Sequence, residues 1–285
     1  MSSPVGSFAR GTPVRDALDG AVTAIAAAGC ETPRLDAELL LAHALGVSRE
    51  RLFIDGDLAV AGPAVRTFQD FVRRRSVLRE PVAYIVGRRH FRGLELAVDR
   101  RALIPRPETE LLVEVALALP KGSRVLDVGT GSGAVALALK DERTDLHVTG
   151  SDLNADALEL ARSNGERLGL DVRWLSANLL DGVTGEFDAI VSNPPYVADT
   201  GRASLAPEIV RHEPTSALFA GADGLDTIRT LVAQAGARAF ARLLALEVGA
   251  GQAPAVGELM RAAGFPAVRA ERDLAGIGRV VVGER

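Results

Sequence analysis

The sequence predicts an α/β protein with a Rossmann-like fold: a seven-stranded, mostly parallel sheet with one antiparallel strand, preceded by a small helical bundle and a β-hairpin connector. Three observations predict it. From residue 123 onward, short apolar runs of strand length alternate with segments of helical spacing. The last two runs follow each other without a helix between them, so one strand is expected to be antiparallel and to lie at the edge. Residues 13–79 carry apolar side chains at helical spacing.

The length and composition limit the class of protein to which this chain can belong. A chain of 285 residues with 47% hydrophobic and 25% charged residues is typical of a globular protein with one large or two modest domains. The single cysteine, Cys30, excludes an internal disulfide and favours a reducing compartment, so we expect a cytoplasmic protein. No run of about 18 apolar residues occurs, so we expect no membrane span. Met1–Gly6 lacks the layout of a signal peptide and is expected to be a frayed end.

The charge is distributed unevenly. A net charge of −4 argues against a dedicated nucleic-acid-binding protein. Between residues 66 and 106, however, eleven arginines stand against four acidic residues, which gives a local charge of +7. Such a run is commonly a solvated face, and the alternative is a docking surface for an acidic or RNA-associated partner. The sequence leaves both interpretations open.

Residues 1–79 are expected to form an N-terminal helical domain. A Thr-Pro pair at residues 12–13 resembles an N-cap followed by a proline in the first turn. Helices with small apolar stripes are predicted over residues 13–29, 33–46 and 63–78. Short helices of this kind pack into bundles.

Residues 80–104 are expected to form a connector. Pro81–Gly87 and Phe91–Val98 have the character of short strands around a polar turn that contains glycine, which predicts a β-hairpin. Residues 105–285 are expected to form the domain that contains the sheet. Its predicted strands cover residues 124–128, 147–152, 172–178, 188–192, 243–248, 267–272 and 279–282. Its predicted helices cover residues 108–119, 134–140, 155–168, 227–238 and 253–263.

The first predicted strand of this domain runs into a glycine turn, Gly129-Thr130-Gly131-Ser132-Gly133. Its glycines allow a ligand to approach the backbone closely, and the helix that follows offers free N–H groups. The alternative is a tight turn between strand and helix. The G-x-G-x-G spacing differs from the G-x-G-x-x-G of dinucleotide sites, so the turn indicates a nucleotide-type ligand of another kind.

Polar residues at the next strand ends extend this set. Asp152 ends the second strand, where its carboxylate suits ribose hydroxyls. Asn178 ends the third, where its amide suits an adenine edge and Leu179 can pack on the ring. Asp127 precedes the glycine turn, and it either faces a positively charged group of the ligand or holds the turn in shape. The carboxyl ends of parallel strands meet at one edge, so we expect these residues to line one cavity.

The fourth strand ends in Asn193-Pro194-Pro195-Tyr196. Two prolines cannot continue a sheet ladder, so the Asn193 side chain and nearby carbonyls are left to bind something, with Tyr196 as a flat amphipathic wall. Alone, the motif is equally a proline-rich turn. The ligand-type residues on three neighbouring strand ends favour the functional interpretation.

Two more stretches stand before this motif in the same chain: Glu80–Gly87, with the sequence EPVAYIVG, and Leu103–Glu110, with the sequence LIPRPETE. Together with Val191–Val197, which reads VSNPPYV, they resemble the HemK/PrmC family of class I S-adenosylmethionine-dependent methyltransferases. These enzymes are the glutamine methyltransferases of peptide chain release factors. The resemblance covers about residues 75–285 and has a helical region of suitable size before it.

The resemblance implies a class I methyltransferase fold, S-adenosyl-L-methionine as cofactor and S-adenosyl-L-homocysteine as product. It implies methyl transfer to the glutamine amide of the Gly-Gly-Gln motif in release factors, with the helical domain docking this partner. We expect a cytoplasmic monomer with no metal and no stable nucleic-acid binding. The expected cofactor residues are Asp127, Gly129, Thr130, Gly131, Ser132, Gly133, Asp152, Asn178, Leu179 and Asn193.

The implied mechanism is an in-line attack of an amide nitrogen on the methyl group. The lone pair of an amide nitrogen is delocalised, which makes it a poor nucleophile. The Asn193 side-chain oxygen and the Pro194 carbonyl would each accept one N–H of the substrate amide, which fixes the nitrogen in place. Pro195 belongs to the same substrate-binding wall, and Tyr196 would pack against the amide plane.

Two further substrate residues have alternatives. Phe91 either packs against the amide opposite Tyr196 or belongs to the hairpin core. Arg106 either binds the substrate backbone or pairs with Glu108 or Glu110.

Other functions also stay open. One is methylation of a glutamine in another translation protein, such as ribosomal protein L3, and another is N-methylation of a nucleic-acid base. A base methyltransferase predicts a separate base-recognition domain and a basic cleft. A third is binding without catalysis, against which the intact Asn-Pro-Pro-Tyr motif argues.

Overall fold

The computed structural model describes residues 11–55, 58–237 and 241–285. The chain forms two compact units. The first contains the residues up to Gly87 together with Pro207–His212, and the second contains Arg88–Ala206 and Glu213–Arg285. The frayed end expected at Met1–Gly6 lies outside the described residues.

The first unit is helical. Its elements before residue 88 are β1 (Thr12–Pro13), α1 (Val14–Ala27), α2 (Pro33–Leu45), α3 (Arg51–Ile54), β2 (Ala59–Val60), α4 (Pro63–Ser76) and α5 (Val82–Val86). The three predicted helices are present as α1, α2 and α4. Gly46 ends α2 in the left-handed conformation (φ 66°) that glycine adopts without strain. Leu18, Ile25, Leu40 and Phe68 meet in one apolar core.

The predicted hairpin is wrong in its first strand. Val82–Val86 forms helix α5, although three of its five residues are β-branched. Burial overrides this preference, because a helix lets Ile85 enter the core of the first unit. Gly87 ends the helix with a left-handed φ of 74°. The hairpin lies one segment later, between β3 (Arg88–Phe91) and β4 (Leu94–Ala97).

The second unit is built on a sheet with the strand order β10-β11-β9-β8-β5-β6-β7. In chain order the elements after the hairpin are α6 (Glu110–Leu117), β5 (Arg124–Val128), α7 (Ala134–Glu142), β6 (His147–Asp152), α8 (Ala155–Leu168), β7 (Arg173–Ser176), β8 (Ala189–Ser192), α9 (Pro207–His212), α10 (Asp226–Ala237), β9 (Leu243–Glu247), α11 (Ala253–Ala262), β10 (Ala267–Arg272) and β11 (Gly278–Glu284). Of these, α9 belongs to the first unit. The predicted seven-stranded, mostly parallel sheet is confirmed.

The antiparallel strand is not at the edge, contrary to expectation. β11 is antiparallel to both β10 and β9 and lies between them, so β10 is the edge strand. The crossover through α11 sets β10 parallel to β9 and one strand apart from it. β11 then fills the gap as the hairpin partner of β10.

The arginine-rich stretch is largely neutralised within each unit. Eight of its arginines form ion pairs: Arg73 with Asp70, Arg74 with Glu80, Arg75 with Asp36 and Glu208, Arg79 with Glu208, Arg88 with Glu95, Arg92 with Glu114 and Glu142, Arg101 with Asp99, and Arg106 with Glu213. Five of these acids lie outside residues 66–106. These acids supply the negative charge that residues 66–106 lack. The pairing favours a structural role for the arginines over a docking surface for an acidic partner.

Within the described ranges of the chain, no helix combines the length and the apolar character that crossing a membrane requires.

Glycine is required for packing at one position of β6, and substitution tests this. A Cβ on Gly150 would lie 2.5 Å from the Trp174 ring and 2.9 Å from Thr130 Oγ1. We expect Gly150→Ala to destabilise the protein by about 1–3 kcal/mol through overpacking. A Cβ on Gly20, in α1, would meet no heavy atom of the described residues within 4 Å outside its own helix backbone and chain neighbours. Gly20→Ala should therefore be neutral or stabilising by about 0.5–1 kcal/mol. Thermal unfolding of both variants checks this; equal melting temperatures would contradict it.

Candidate active site

A cavity of about 670 Å³ lies at the carboxyl ends of the parallel strands in the second unit. The strand register creates it: Val128 at the end of β5 pairs with Ser151 in β6 and with Ser192 in β8. The next residues therefore leave the sheet side by side. Most of the predicted site residues line this cavity, namely Asp127, Gly129, Thr130, Gly131, Ser132, Asp152, Asn178, Leu179, Asn193, Pro194 and Pro195. Gly133, Tyr196, Phe91 and Arg106 are not among its lining residues.

Four of the five N–H groups in the glycine turn donate to other groups of the protein. Gly129 and Thr130 donate to the Ser151 carbonyl at 2.8 and 2.9 Å. Gly131 donates to Asp152 Oδ2 at 3.0 Å, and Gly133 donates to the Thr130 carbonyl at 2.8 Å. A phosphate needs such donors. The turn therefore suits a ligand that packs against the backbone without a phosphate group.

Asp127 holds this turn in shape. Only 1% of the residue is exposed, and its Oδ2 accepts from Thr130 Oγ1 at 2.6 Å and from the Ala136 N–H at 3.2 Å. Burial, aided by the negative charge of Asp152, raises the pKa of Asp127 to about 7 against the effect of these hydrogen bonds. Asp127 also lines the cavity, so the other alternative, contact with a cationic group, stays open.

Two backbone features shape the rim around Asp152 and Asn178. The two Asp152 oxygens accept from the backbone N–H groups of Asn154 and Gly131, at 2.9 and 3.0 Å, which fixes the carboxylate in one orientation. The Asn178 carbonyl accepts from Asp181 N at 2.9 Å. Leu179 between them has a left-handed φ of 54°, a costly conformation for leucine that is typical of functional sites.

Asn193 is oriented by a residue that the sequence did not single out. Its Nδ2 donates to Thr109 Oγ1 at 3.1 Å, and the Thr109 side chain is buried. The preceding Ser192 donates to the Val128 carbonyl at 2.6 Å and ties the motif to β5. This bond directs Nδ2 to Thr109 and leaves Oδ1, on the other side of the amide, as the acceptor that Asn193 can offer to a ligand.

Tyr196 is held at both ends. Its hydroxyl donates to Glu247 Oε1 at 3.2 Å, and its backbone carbonyl accepts from Gln252 Nε2 at 3.0 Å. Glu247 is 1% exposed, and burial raises its pKa to about 7. The sequence interpretation missed Glu247, Gln252 and Thr109. One signal was present: Glu247 is an acid at the end of an otherwise apolar fifth strand, beside the strand that carries Asn193.

The remaining predicted residues have structural surroundings. Phe91 is 1% exposed in the β3–β4 hairpin, which supports the alternative of a hairpin core residue. Arg106 pairs with neither Glu108 nor Glu110 but with Glu213, at 2.5 Å. Gly133 is needed for packing, since a Cβ there would lie 3.0 Å from Leu137 and 3.1 Å from Trp174.

The cavity is acidic. Its charged lining residues are three aspartates, Asp127, Asp152 and Asp226, and one arginine, Arg101. Arg101 is itself paired with Asp99 at 2.7 Å, and Asp226 with Arg229 at 3.0 Å. A cationic ligand is favoured in such surroundings, and a polyanion is disfavoured. The described residues contain no group of three or more His, Cys, Asp and Glu side chains that could hold a metal ion.

Comparison with known proteins identifies this sheet and cavity as those of a methyltransferase. Residues 107–221 match the family model of the methyltransferase small domain, and residues 16–87 match that of the PrmC N-terminal domain. Two solved structures are similar in fold: a methyltransferase from Pyrococcus furiosus (20% identity, 67% of this chain and 89% of that chain, TM-score 0.52) and the hMettl16 catalytic domain in complex with a 3'UTR hairpin (16% identity, 78% and 81%, TM-score 0.56).

Curated relatives narrow this class. A release factor glutamine methyltransferase of Deinococcus radiodurans is 42% identical over 95% of this chain and 98% of its own length. One from Xylella fastidiosa is 45% identical over 92% and 97%. This chain belongs to the release factor glutamine methyltransferase family, and the resemblance predicted from the sequence is confirmed.

The buried carboxyl of Glu247 makes stability depend on pH. Its pKa is raised from an ordinary value near 4.5 to about 7, so between these values the folded state retains a proton that the unfolded state has lost. Its contribution to stability is present below about pH 4.5 and is lost as the pH rises to about 7. We expect the stability of Glu247→Gln, relative to that of the wild type, to increase by roughly 2–3 kcal/mol as the pH rises from 5 to 8. Melting temperatures across this range test it.

The matched control is Glu258→Gln, at an exposed position of α11. Its difference from wild type should change little with pH. A Glu247→Gln difference that is equally independent of pH would contradict the prediction.

Proposed function

We propose that this chain transfers a methyl group from S-adenosylmethionine to the side-chain amide nitrogen of the glutamine in the Gly-Gly-Gln motif of peptide chain release factors. The observation that carries the proposal is Asn193: it lines the cavity, and its Nδ2 donates to Thr109, which leaves Oδ1 as the acceptor for a ligand. Support also comes from family membership along nearly the whole chain.

The residues of the cavity fit S-adenosylmethionine. The acidic lining favours its cationic groups, and a glycine turn that uses four of its five N–H groups within the protein suits a ligand that lacks phosphate. Asp152 would accept from the ribose hydroxyls, while Asn178 and Leu179 would contact the adenine. Asp127 and the backbone from Gly129 to Ser132 would contact the rest of the cofactor. When bound, the cofactor supplies an electrophilic methyl group on a sulfonium.

The residues around Asn193 would hold the substrate amide. Such an amide has two N–H donors, and Asn193 Oδ1 and the Pro194 carbonyl are the two acceptors for them. Both acceptors sit on a backbone that the prolines make rigid, so little entropy is lost when the amide is fixed for attack. Accepting both hydrogens increases the electron density on nitrogen, an effect that strengthens as it pyramidalises. The ring of Tyr196 would bound the amide plane.

The remaining parts of the proposal concern organisation and partners. We propose residues 1–79 as the helical domain that docks the release factor, 80–104 as a connector and 105–285 as the catalytic domain. The neutralised arginine stretch supports an enzyme without stable nucleic-acid binding. A cytoplasmic monomer agrees with an enzyme that acts on a translation protein.

Substrate choice is tested with purified protein and methyl-labelled S-adenosylmethionine. Release factor, ribosomal protein L3 and RNA or DNA are offered separately. We expect label in release factor only, and none after its motif glutamine is replaced by alanine. Label in nucleic acid or in the ribosomal protein, with none in release factor, would contradict the proposal.

Asn193→Ala removes one acceptor of the substrate amide. We expect kcat to fall by two or more orders of magnitude, because the nitrogen is no longer held for attack. The affinity for S-adenosylmethionine, measured by calorimetry, should stay within about threefold. Asp199→Ala, an exposed position shortly after the motif, is the control and should retain activity. Loss of cofactor binding in Asn193→Ala would assign this residue a different role.

Asp152→Asn tests the cofactor contact. The carboxylate accepts more strongly than an amide, so we expect about tenfold weaker binding of S-adenosylmethionine. Asp156→Asn, an exposed position outside the cavity in the first turn of α8, should bind normally. Equal affinities for the two variants would show that Asp152 does not contact the cofactor.

A further inference from the structure

Glu247 is a buried carboxyl that the assigned roles leave unexplained. It ends β9 with 1% of the residue exposed. Oε1 accepts from the Tyr196 hydroxyl, whereas Oε2 has no hydrogen-bond partner among the described residues. Burying a carboxyl with one unpaired oxygen is costly. An apolar residue at this position would pack into the sheet without that cost, so the carboxyl indicates a function.

The residue that Glu247 holds is Tyr196. The hydroxyl of the tyrosine is held by Glu247 Oε1 at 3.2 Å and its carbonyl by Gln252 Nε2 at 3.0 Å. Gln252 is fixed in turn, because its Oε1 accepts from Gly249 N at 2.8 Å. A Cβ on Gly249 would lie 2.9 Å from Gln252 Oε1 and 3.3 Å from the Tyr196 ring. The segment after β9 is therefore closely fitted to this tyrosine.

The Asn193 amide is held separately, by Thr109. The Thr109 hydroxyl oxygen accepts from Asn193 Nδ2 at 3.1 Å, and only 4% of Thr109 is exposed. The donor nitrogen and the acceptor oxygen lie on opposite sides of an amide group. With Nδ2 directed at Thr109, the acceptor that Asn193 keeps for a ligand is Oδ1.

We propose that Thr109 and Glu247 are positioning residues of the methyl-transfer site: Thr109 fixes the direction of the Asn193 amide, and Glu247 fixes the plane of the Tyr196 ring. This inference rests on the proposed function, since it concerns the residues that would hold the substrate amide. Thr109 is itself among the residues that line the cavity, whereas Glu247 is not. In this assignment each acts through the residue that it holds.

The charge of Glu247 matters to this arrangement. As a carboxylate it can only accept, so the Tyr196 hydroxyl has to donate to it. Once protonated, Glu247 can donate to Tyr196 instead, and the direction of this hydrogen bond is no longer imposed. The titratable groups that face it are Tyr196, Glu108 and Arg279, with Arg106 near the tyrosine. We therefore expect kcat of the wild type to rise with pH through about 7.

The central experiment compares Thr109→Val with Thr109→Ser. Valine keeps the volume of threonine but removes the hydroxyl, whereas serine retains it. We expect Thr109→Val to lower kcat on release factor about 10- to 100-fold, through misorientation of the amide. The affinity for S-adenosylmethionine, measured by calorimetry without substrate, and the melting temperature should stay near wild type. Thr109→Ser should recover most of the lost rate.

Glu247→Gln provides the second measurement and does not depend on the first variant being well folded. Glutamine keeps one acceptor oxygen but adds an N–H donor, so it no longer fixes the Tyr196 hydroxyl as the carboxylate does. We expect about tenfold lower kcat and a flatter pH dependence between 6 and 8 than that of the wild type. Asp127 is unchanged in this variant, so the difference between the two profiles belongs to Glu247.

The outcomes separate the two proposals. A wild-type enzyme that does not methylate release factor overturns the proposed function. A wild type that does so, with Thr109→Val or Glu247→Gln at the same kcat and the same pH profile, overturns the positioning role alone. A loss of rate that Thr109→Ser shares in full also overturns it, because the hydroxyl would then not be the cause.

Discussion

The register between β5 and β8 is the constraint on which the site depends. Val128 is paired with Ser192, and the Ser192 hydroxyl also donates to the Val128 carbonyl. The glycine turn and the Asn-Pro-Pro-Tyr motif therefore leave the sheet from adjacent positions on the same edge. A slip of one residue would turn every side chain of β8 to the opposite face and move Asn193 away from the cavity. The apolar core fixes this register because both strands are buried.

Below this edge the protein keeps polar groups that a purely stable sheet would not contain. Asp127 and Glu247 are each 1% exposed, and burial raises both pKa values to about 7. Asp127 uses its hydrogen bonds to hold the glycine turn. Glu247 accepts from the hydroxyl of Tyr196, which follows the neighbouring strand β8. Burying these two carboxyl groups lowers the stability of the protein. In return, the groups at the rim of the cavity are held in fixed orientations.

Residues with a local signal could be predicted from the sequence, and residues with only a distant partner could not. The glycine turn, Asp152 and Asn193 were found because each follows a recognisable strand. Glu247 was missed, since its meaning depends on Tyr196, 51 residues earlier in the chain. Helix α5 was misassigned because its β-branched and aromatic residues favour a strand until the core of the first unit is present. The position of β11 likewise depends on how a crossover places β10.

The orientation of Asn193 has a consequence for which substrates the proposed enzyme can accept. Its Oδ1 and the Pro194 carbonyl are both acceptors, so a group that brings two N–H donors is held. A carboxylate has nearly the same shape but offers only acceptor oxygens. Asn193 Oδ1 and the Pro194 carbonyl cannot donate to them, so the carboxylate is repelled. Glutamine is thus favoured over glutamate by repulsion as well as by attraction. That discrimination is only as good as the fixed direction of the Asn193 amide, which is what the Thr109 hydroxyl determines.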